Sequence, residues 1–303
     1  MRYRVTHRSI FRYAGEVALA HNQLHLSPRD MPARQQVHHH AVRVDPKPGV
    51  WAPRLDYFGN ATTVFSVDTP HRVMTVTAVT ELDVQPPRLT EAGYPDSPRW
   101  EVVQERACPG TTVPEALHWR DVRPFAAASS WVTPHHEMTA YAAQSFTPGR
   151  PVLVAAAELC RRIYADFDYK PGATKVDTPA LDAFRQRAGV CQDFAHVMLA
   201  MLCGLGLPAR YVSGYLRTVP AGGTEVGSIE TLTGADASHA WVSVHDGRDT
   251  WVDLDPTNNK PADQDHVTTA WGRDYRDVVP VRGVIAGGGS QQVDVEVDVT
   301  PLG

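Results

Sequence analysis

At a soft prior of about 150 residues per domain, the 303 residues predict two domains with enough chain for a full hydrophobic core, and they exclude a disulfide-stapled miniprotein. A composition that is 43% hydrophobic and 21% charged matches soluble globular proteins, and no apolar run approaches the roughly 18 residues of a membrane span. With 29 basic against 34 acidic residues the net charge is −5, which argues against a nucleic-acid partner.

Met1 to Gly15 carries Arg2, Arg4, Arg8 and Arg12 among apolar residues and lacks the unbroken apolar core of a signal peptide, so no export is expected. The four cysteines, Cys108, Cys160, Cys191 and Cys203, form no CxxC pair and are too sparse for a disulfide framework. Reduced thiols in a cytoplasmic protein are the expectation. Residues 1–85 read as strands: Tyr3 and Val5 alternate with arginines, Val42 and Val44 flank Arg43, and Met74, Val76, Ala78, Leu82 and Val84 share one parity. Turn signals at Pro28-Arg29-Asp30, Pro46 to Gly49 and Gly59-Asn60 divide them, which predicts a small β-sandwich. Residues 86–150 are richer in proline, with short helices expected near Pro114 to Trp131 and His136 to Ser145, and read as a connector between domains.

The period changes at Pro151. Val152, Ala155, Ala156, Leu159, Cys160 and Ile163 recur at helical spacing behind a proline suited to a first turn. A second helix is expected from Pro179 to Arg187, stopped by Gly189. A third begins at or beside Cys191, with Phe194, Val197, Met198, Met201, Leu202 and Leu205 on one stripe and Gly204, Gly206 and Pro208 ending it. Strands follow at Arg210 to Leu216, His239 to His245 and Thr250 to Asp255, and Val293, Val295, Val297 and Val299 alternate in a last one. Helices first and strands afterwards predict an α+β catalytic unit over residues 151–303, with a C-terminal strand, rather than a doubly wound sheet.

Cys191 at a helix start lies where unpaired backbone N–H groups and the helix dipole stabilise a thiolate. Asp193 opposes this unless its carboxylate turns toward the first-turn N–H groups. His239, Trp241 and Ser243 share one strand face, and Trp251, Asp253 and Asp255 share a face of the next. For His239 to stand opposite Asp255, the connection must be a three-residue loop Asp246-Gly247-Arg248, a five-residue loop or a bulge. A two-residue Asp-Gly turn would send Asp255 to the other face.

The stretches Gly189-Val-Cys-Gln-Asp-Phe-Ala-His196, Gly206-Leu-Pro-Ala-Arg-Tyr-Val-Ser-Gly-Tyr215, Ser238-His-Ala-Trp241 and Asp255-Pro-Thr-Asn-Asn259 together resemble the bacterial transglutaminase-like family, whose members are often described as cysteine proteases. The resemblance continues through Gly272 to Val278 and Pro280 to Gly283, and the β-rich start resembles that family's N-terminal domain. It implies a papain-like α+β core with a Cys-His-Asp triad, carried here by Cys191, His239 and Asp255. Cys203 departs from the pattern, where many relatives have a basic residue, and touches helix packing more than chemistry.

From these residue types, acyl transfer through a thioester is expected: His239 takes the Cys191 proton, Asp255 fixes the imidazole, and the thiolate attacks a glutamine or peptide amide. The Cys191 N–H is one candidate oxyanion donor, with the Gln192 amide or Tyr169 hydroxyl as the second. Trp241 and Trp251 are candidates to shield the thioester, and Asn258 and Asn259 to orient the loop that holds Asp255. The partners expected are a protein or peptide substrate and an amine co-substrate. Alternatives are a peptidase or amidase using the same triad, and a non-catalytic scaffold on this fold. No cofactor is expected. His38, His39 and His40 point to alternate sides of a strand and His135-His136 is read the same way, so neither cluster is expected to converge on a metal. Gly287 to Gly289 reads as a bend, and the charged run Gly272 to Val278 either shapes the cleft or forms a salt-bridged loop.

Overall fold

The computed structural model describes residues 1–111, 116–218, 232–234 and 238–302, with the side chains of 116–118 left out. The chain opens with five strands, β1 (Arg2–Leu24), β2 (Gln35–Asp45), β3 (Val50–Leu55), β4 (Ala61–Val67) and β5 (His71–Val84). In β1 the odd residues from Tyr3 to Tyr13 are buried, while Arg2, Arg4, Arg8 and Arg12 face solvent, as the alternation predicts. Met74, Val76, Ala78, Leu82 and Val84 are likewise all buried.

In place of two facing sheets, these strands belong to one curled seven-stranded sheet of order β2-β5-β1-β4-β3. Its last two members come from the far end of the chain: β13 (Val281–Gly287) and β14 (Gln291–Pro301) both pair antiparallel with β1. The final strands expected with residues 151–303 are therefore hydrogen-bonded into the N-terminal sheet. Alternation identifies a strand but not its partner. The expected bend at Gly287 to Gly289 is the turn between them.

Between these ends lies the α+β layer. The segment expected as a connector forms α1 (Trp100–Ala107), α2 (Ala116–Val122) and α3 (His136–Ala143). Its residues Tyr94, Val103, Trp119 and Met138 belong to the same hydrophobic cluster as the following helices, so it is part of the core rather than a linker. Then come α4 (Val152–Asp166), β6 (Asp168–Tyr169), α5 (Ala180–Gln186), β7 (Ala188–Gly189) and α6 (Cys191–Gly204). The predicted α4 stripe is buried throughout, with Pro151 as N-cap. The left-handed residue that ends α5 is Arg187, two places before the expected Gly189.

A five-stranded antiparallel sheet completes the layer: β8 (Ala209–Leu216), β9 (His239–His245), β10 (Trp251–Asp255), β11 (Lys260–Pro261) and β12 (His266–Gly272), in the order β11-β10-β9-β8-β12. Ala240, Val242 and Val244 turn one face of β9 toward α6, whose residues from Asp193 to Leu202 are all buried. The edge strand β12 is covered by the N-terminal sheet's side chains. Gln35 exchanges two hydrogen bonds with the Thr268 backbone, at 2.8 and 2.9 Å, and Asn60 does the same with Trp271, at 2.8 and 3.0 Å. Side-chain amides thus satisfy backbone groups that an open edge would leave to water or another chain. Tyr3, Val5, Leu82, Tyr215 and Val267 form a shared apolar cluster beside them.

Candidate functional site

Cys191 is the first residue of α6, half-buried, behind an extended N-cap at Val190. The first-turn amides of a helix have no intrahelical acceptor, so the sulfur sits in a positive backbone field. Asp193 does turn away from it. Its Oδ2 accepts from the Val190 N–H at 2.8 Å and from the Thr174 hydroxyl at 2.6 Å, closing the N-terminus of the helix. Gly189 makes room for this: a Cβ there would stand 2.5 Å from Asp193 Oδ2. Burial raises the Asp193 pKa, and the two hydrogen bonds oppose that rise.

The β9–β10 connection has odd length, five residues from Asp246 to Thr250, because Asp246 Oδ1 accepts from the Arg248 and Thr250 N–H groups and holds a wide turn. His245 therefore pairs with Trp251. The register lies one pair beyond the one that would set Asp255 directly opposite His239. Asp255 is instead its diagonal neighbour on the same face, within side-chain reach. His239 Nε2 donates to Asp255 Oδ2 at 2.9 Å, with both side chains fully buried. Burial opposes charge on the His239 ring, but the charges of Asp255 and Cys191 and hydrogen bonding to both outweigh it, raising the pKa to about 10. Burial likewise opposes the Asp255 carboxylate, yet His239 and His266 hold it well below the usual range.

Asp255 is held from several sides. Its Oδ1 accepts from the Thr257 and Asn258 N–H groups, and its Oδ2 accepts from Asn258 Nδ2 at 2.8 Å. Asn258 Oδ1 also receives the Thr233 N–H at 2.8 Å, so this residue ties the Asp255 loop to residues 232–234. At Gly234, in a left-handed conformation with φ +87, a Cβ would come 2.9 Å from His239 Nδ1 and 3.4 Å from the Tyr169 hydroxyl. Tyr169 pairs with Gly189 across the β6–β7 ladder, which sets it beside the start of α6.

Other expected site residues are placed differently. Gln192 Nε2 donates to the Val176 carbonyl at 2.8 Å, which commits that amide away from an oxyanion. Trp241 is fully buried and stacks on His239, with ring centres 6.2 Å apart. Trp251 lies at the other end of β10, against His245 and Phe125, and cannot shield a thioester at Cys191. His38 and His40 bond Asp83 and Thr80 separately. His135 and His136, however, sit at the start of α3 rather than on a strand, and their rings lie 4.2 Å apart. With Glu137 they bring three donor atoms within 4.8 Å, a convergence that strand geometry would forbid. Glu137 already pairs with Arg185 there, and His135 Nδ1 accepts the Glu137 N–H.

Two residues of the site escaped the sequence reading. His266 Nε2 donates to Asp255 Oδ2 at 3.2 Å and meets the edge of the Trp241 ring. Tyr275, in a short turn of the charged run, lies near enough for the Cys191 charge to add to the burial that raises its pKa. The same turn is salt-bridged, as one of the two expected readings of this run has it, with Arg273 paired to Asp277 at 3.0 Å.

A thiol at a helix N-terminus, packed against an antiparallel sheet that carries an imidazole and a buried carboxylate, defines the papain-like class of cysteine-enzyme folds. The chain belongs to the transglutaminase-like superfamily: residues 3–83 match the bacterial transglutaminase-like N-terminal region and residues 139–256 match the transglutaminase-like core. An uncharacterized protein of Mycobacterium tuberculosis is 38% identical over 99% of this chain and 93% of its own length. A protein-glutamine gamma-glutamyltransferase of Pseudomonas aeruginosa is 35% identical over 112 residues, 36% of this chain and 16% of that protein. The crystal structure of a proposed cysteine protease from Cytophaga hutchinsonii shares the fold, with a TM-score of 0.72 and 19% identity over 100% of this chain and 92% of that one. No helix of the described residues is long and apolar enough to cross a membrane.

Proposed function

We propose that the protein is a thiol-dependent amide hydrolase, a peptidase or amidase in which Cys191 is the nucleophile, His239 the proton carrier and Asp255 its orienting acid. The observation that carries this reading is the division of the His239 ring. Nε2 is committed to Asp255 at 2.9 Å, and Nδ1, which has no other hydrogen-bond partner, is left for the Cys191 sulfur. The thiolate attacks the amide carbonyl, the leaving amine takes a proton from His239, and a thioester remains. Water then attacks the thioester as His239 accepts its proton, releasing the acid and restoring the thiol. The Cys191 N–H and the Tyr169 hydroxyl are the oxyanion donors this reading selects, because the Gln192 amide is engaged elsewhere.

Likeness to a protein-glutamine gamma-glutamyltransferase over 112 residues favours a second reading, in which a primary amine replaces water in the second step. One experiment separates the two: incubation with a glutamine-rich protein and a fluorescent primary amine. New peptide termini or released ammonia without label support hydrolysis, and covalent label supports transfer. Turnover that persists in Cys191→Ala overturns both. A wild-type protein that forms no acyl-enzyme across a broad peptide and amide panel points to a binding scaffold on this fold.

A further inference from the structure

Between the core sheet and the segments 31–34 and 87–94 that flank strands of the N-terminal sheet lies a cavity of about 260 Å³ whose walls include none of Cys191, His239 or Asp255. Leu89, Pro261, Trp251 and Trp271 make much of its surface apolar. Among its polar lining residues, three keep a buried atom with no hydrogen-bond partner: Arg34 Nη1, Arg210 Nε and the Tyr94 hydroxyl. Tyr94 is only 2% exposed. Leaving such groups unpaired is costly, so three around one cavity mark a place built for an acceptor.

Neither cation can swing out to water. Arg34 Nη2 is anchored on the Ala262 and Asp263 carbonyls at 3.1 and 2.5 Å. The Arg210 guanidinium lies 3.5 Å over the Trp251 ring and 4.3 Å from that of Trp271. Asp253 is the one carboxylate among the described lining residues, against Arg34, Arg88 and Arg210, so the walls carry a positive excess. Burial lowers the pKa of both anchored arginines, Arg210 to about 9, with Asp253 offsetting part of the effect. Burial raises that of Tyr94, which keeps its hydroxyl a donor.

We propose that this cavity binds a small carboxylate with a flat apolar body, the carboxylate received by Arg34, Arg210 and the Tyr94 hydroxyl and the body laid against Trp251 and Trp271. An apolar cavity of about 150 Å³ already holds benzene, so this one has room for a ring with a short acid arm. A guanidinium pair suits the two oxygens of a carboxylate, and the aromatic walls select against a bare inorganic anion.

The test is calorimetric titration of the full chain with phenylacetate, with phenylacetamide as its neutral isostere and inorganic phosphate as the anion without a body. Saturable binding of phenylacetate, at least about 10-fold tighter than either control, is expected. The same margin should be lost in Arg34→Met and in Tyr94→Phe, the latter removing one hydroxyl that no protein group uses. Binding should survive Cys191→Ala unchanged, which keeps this site distinct from the thiol. N-acetylphenylalanine separates the sources of the carboxylate: weaker binding than phenylacetate assigns the site to a free acid, and tighter binding to a peptide C-terminus. Equal affinity for acid and amide, full affinity in both variants, loss of binding in Cys191→Ala, or no heat of binding up to about 10 mM phenylacetate overturns the proposal.

Discussion

His266 and His239 share one oxygen of Asp255: their Nε2 atoms lie 3.2 and 2.9 Å from Oδ2. His266 is in turn joined through Nδ1 to Asp263, which pairs with Lys260. Asp255 is thereby held by two imidazoles, and under the proposed function His266 acts through it as a positioning residue.

His266→Gln should lower kcat by roughly 10-fold, in the range that supporting residues of this kind contribute, with KM little changed. Losing one donor leaves more of the Asp255 charge for His239, so the alkaline limb of the pH–rate profile should move upward. An unchanged profile together with an unchanged kcat would show that His266 only fills space.

Cys191→Ala should reduce amide turnover by at least about 10³-fold while circular dichroism and melting stay near wild type, because a half-buried sulfur at a helix start does little for packing. Asp255→Asn should cost roughly 10²–10⁴-fold in kcat and about 3 kcal/mol of stability, since a buried acceptor surrounded by donors is replaced by a group that also donates. Equal stability of the two variants would contradict the burial of the pair.

Brief iodoacetamide treatment at neutral pH, read by peptide mass spectrometry, should modify Cys191 before the other thiols. Cys160 is buried and Cys203 half-buried, and burial raises both their pKa values. Cys108 is exposed at the C-terminal cap of α1 and is the informative competitor. Faster labelling of Cys108 would remove the case for activation.

The pH dependence of stability has a definite sign. A ring whose pKa rises from 6.5 to about 10 on folding stabilises the fold fully below pH 6.5 and loses that contribution as pH climbs through about 10. The melting-temperature deficit of His239→Gln against wild type should therefore be greatest near pH 6 and shrink toward about pH 10. A deficit that widens with pH would mean that His239 is neutral in the folded protein.

Features that rest on local period were legible in the sequence. The stripe of α4 and the start of α6 at Cys191 follow from a spacing of 3.6, and a spacing of 2 sorts the residues of β9 and of β10 into faces, while the turn between them decides whether His239 and Asp255 share one. The exact pairing was not, because it depends on how many N–H groups Asp246 gathers into its turn. His266 was invisible for another reason: β12 lies beside β8, with two strands between it and β10 in the sheet, yet its first residue meets Asp255 at the end of β10. Tyr275 lies within the Gly272 to Val278 stretch that carries the resemblance, but no spacing singles it out from its charged neighbours or sets it near the Cys191 charge.

The pairing of β13 and β14 with β1 has a consequence for the order of assembly. During synthesis β1 is made before all the strands that pair with it, and one of its edges has no partner until residues 281–301 have been made. The α+β layer is then a long excursion that must be completed before the first sheet can close. A ribosome-stalled chain ending near residue 278 should hold an exposed β edge and bind chaperones, whereas twenty-odd residues more should release it. The α+β layer and the sheet it departs from are thus finished by one event, the arrival of residues 281–301.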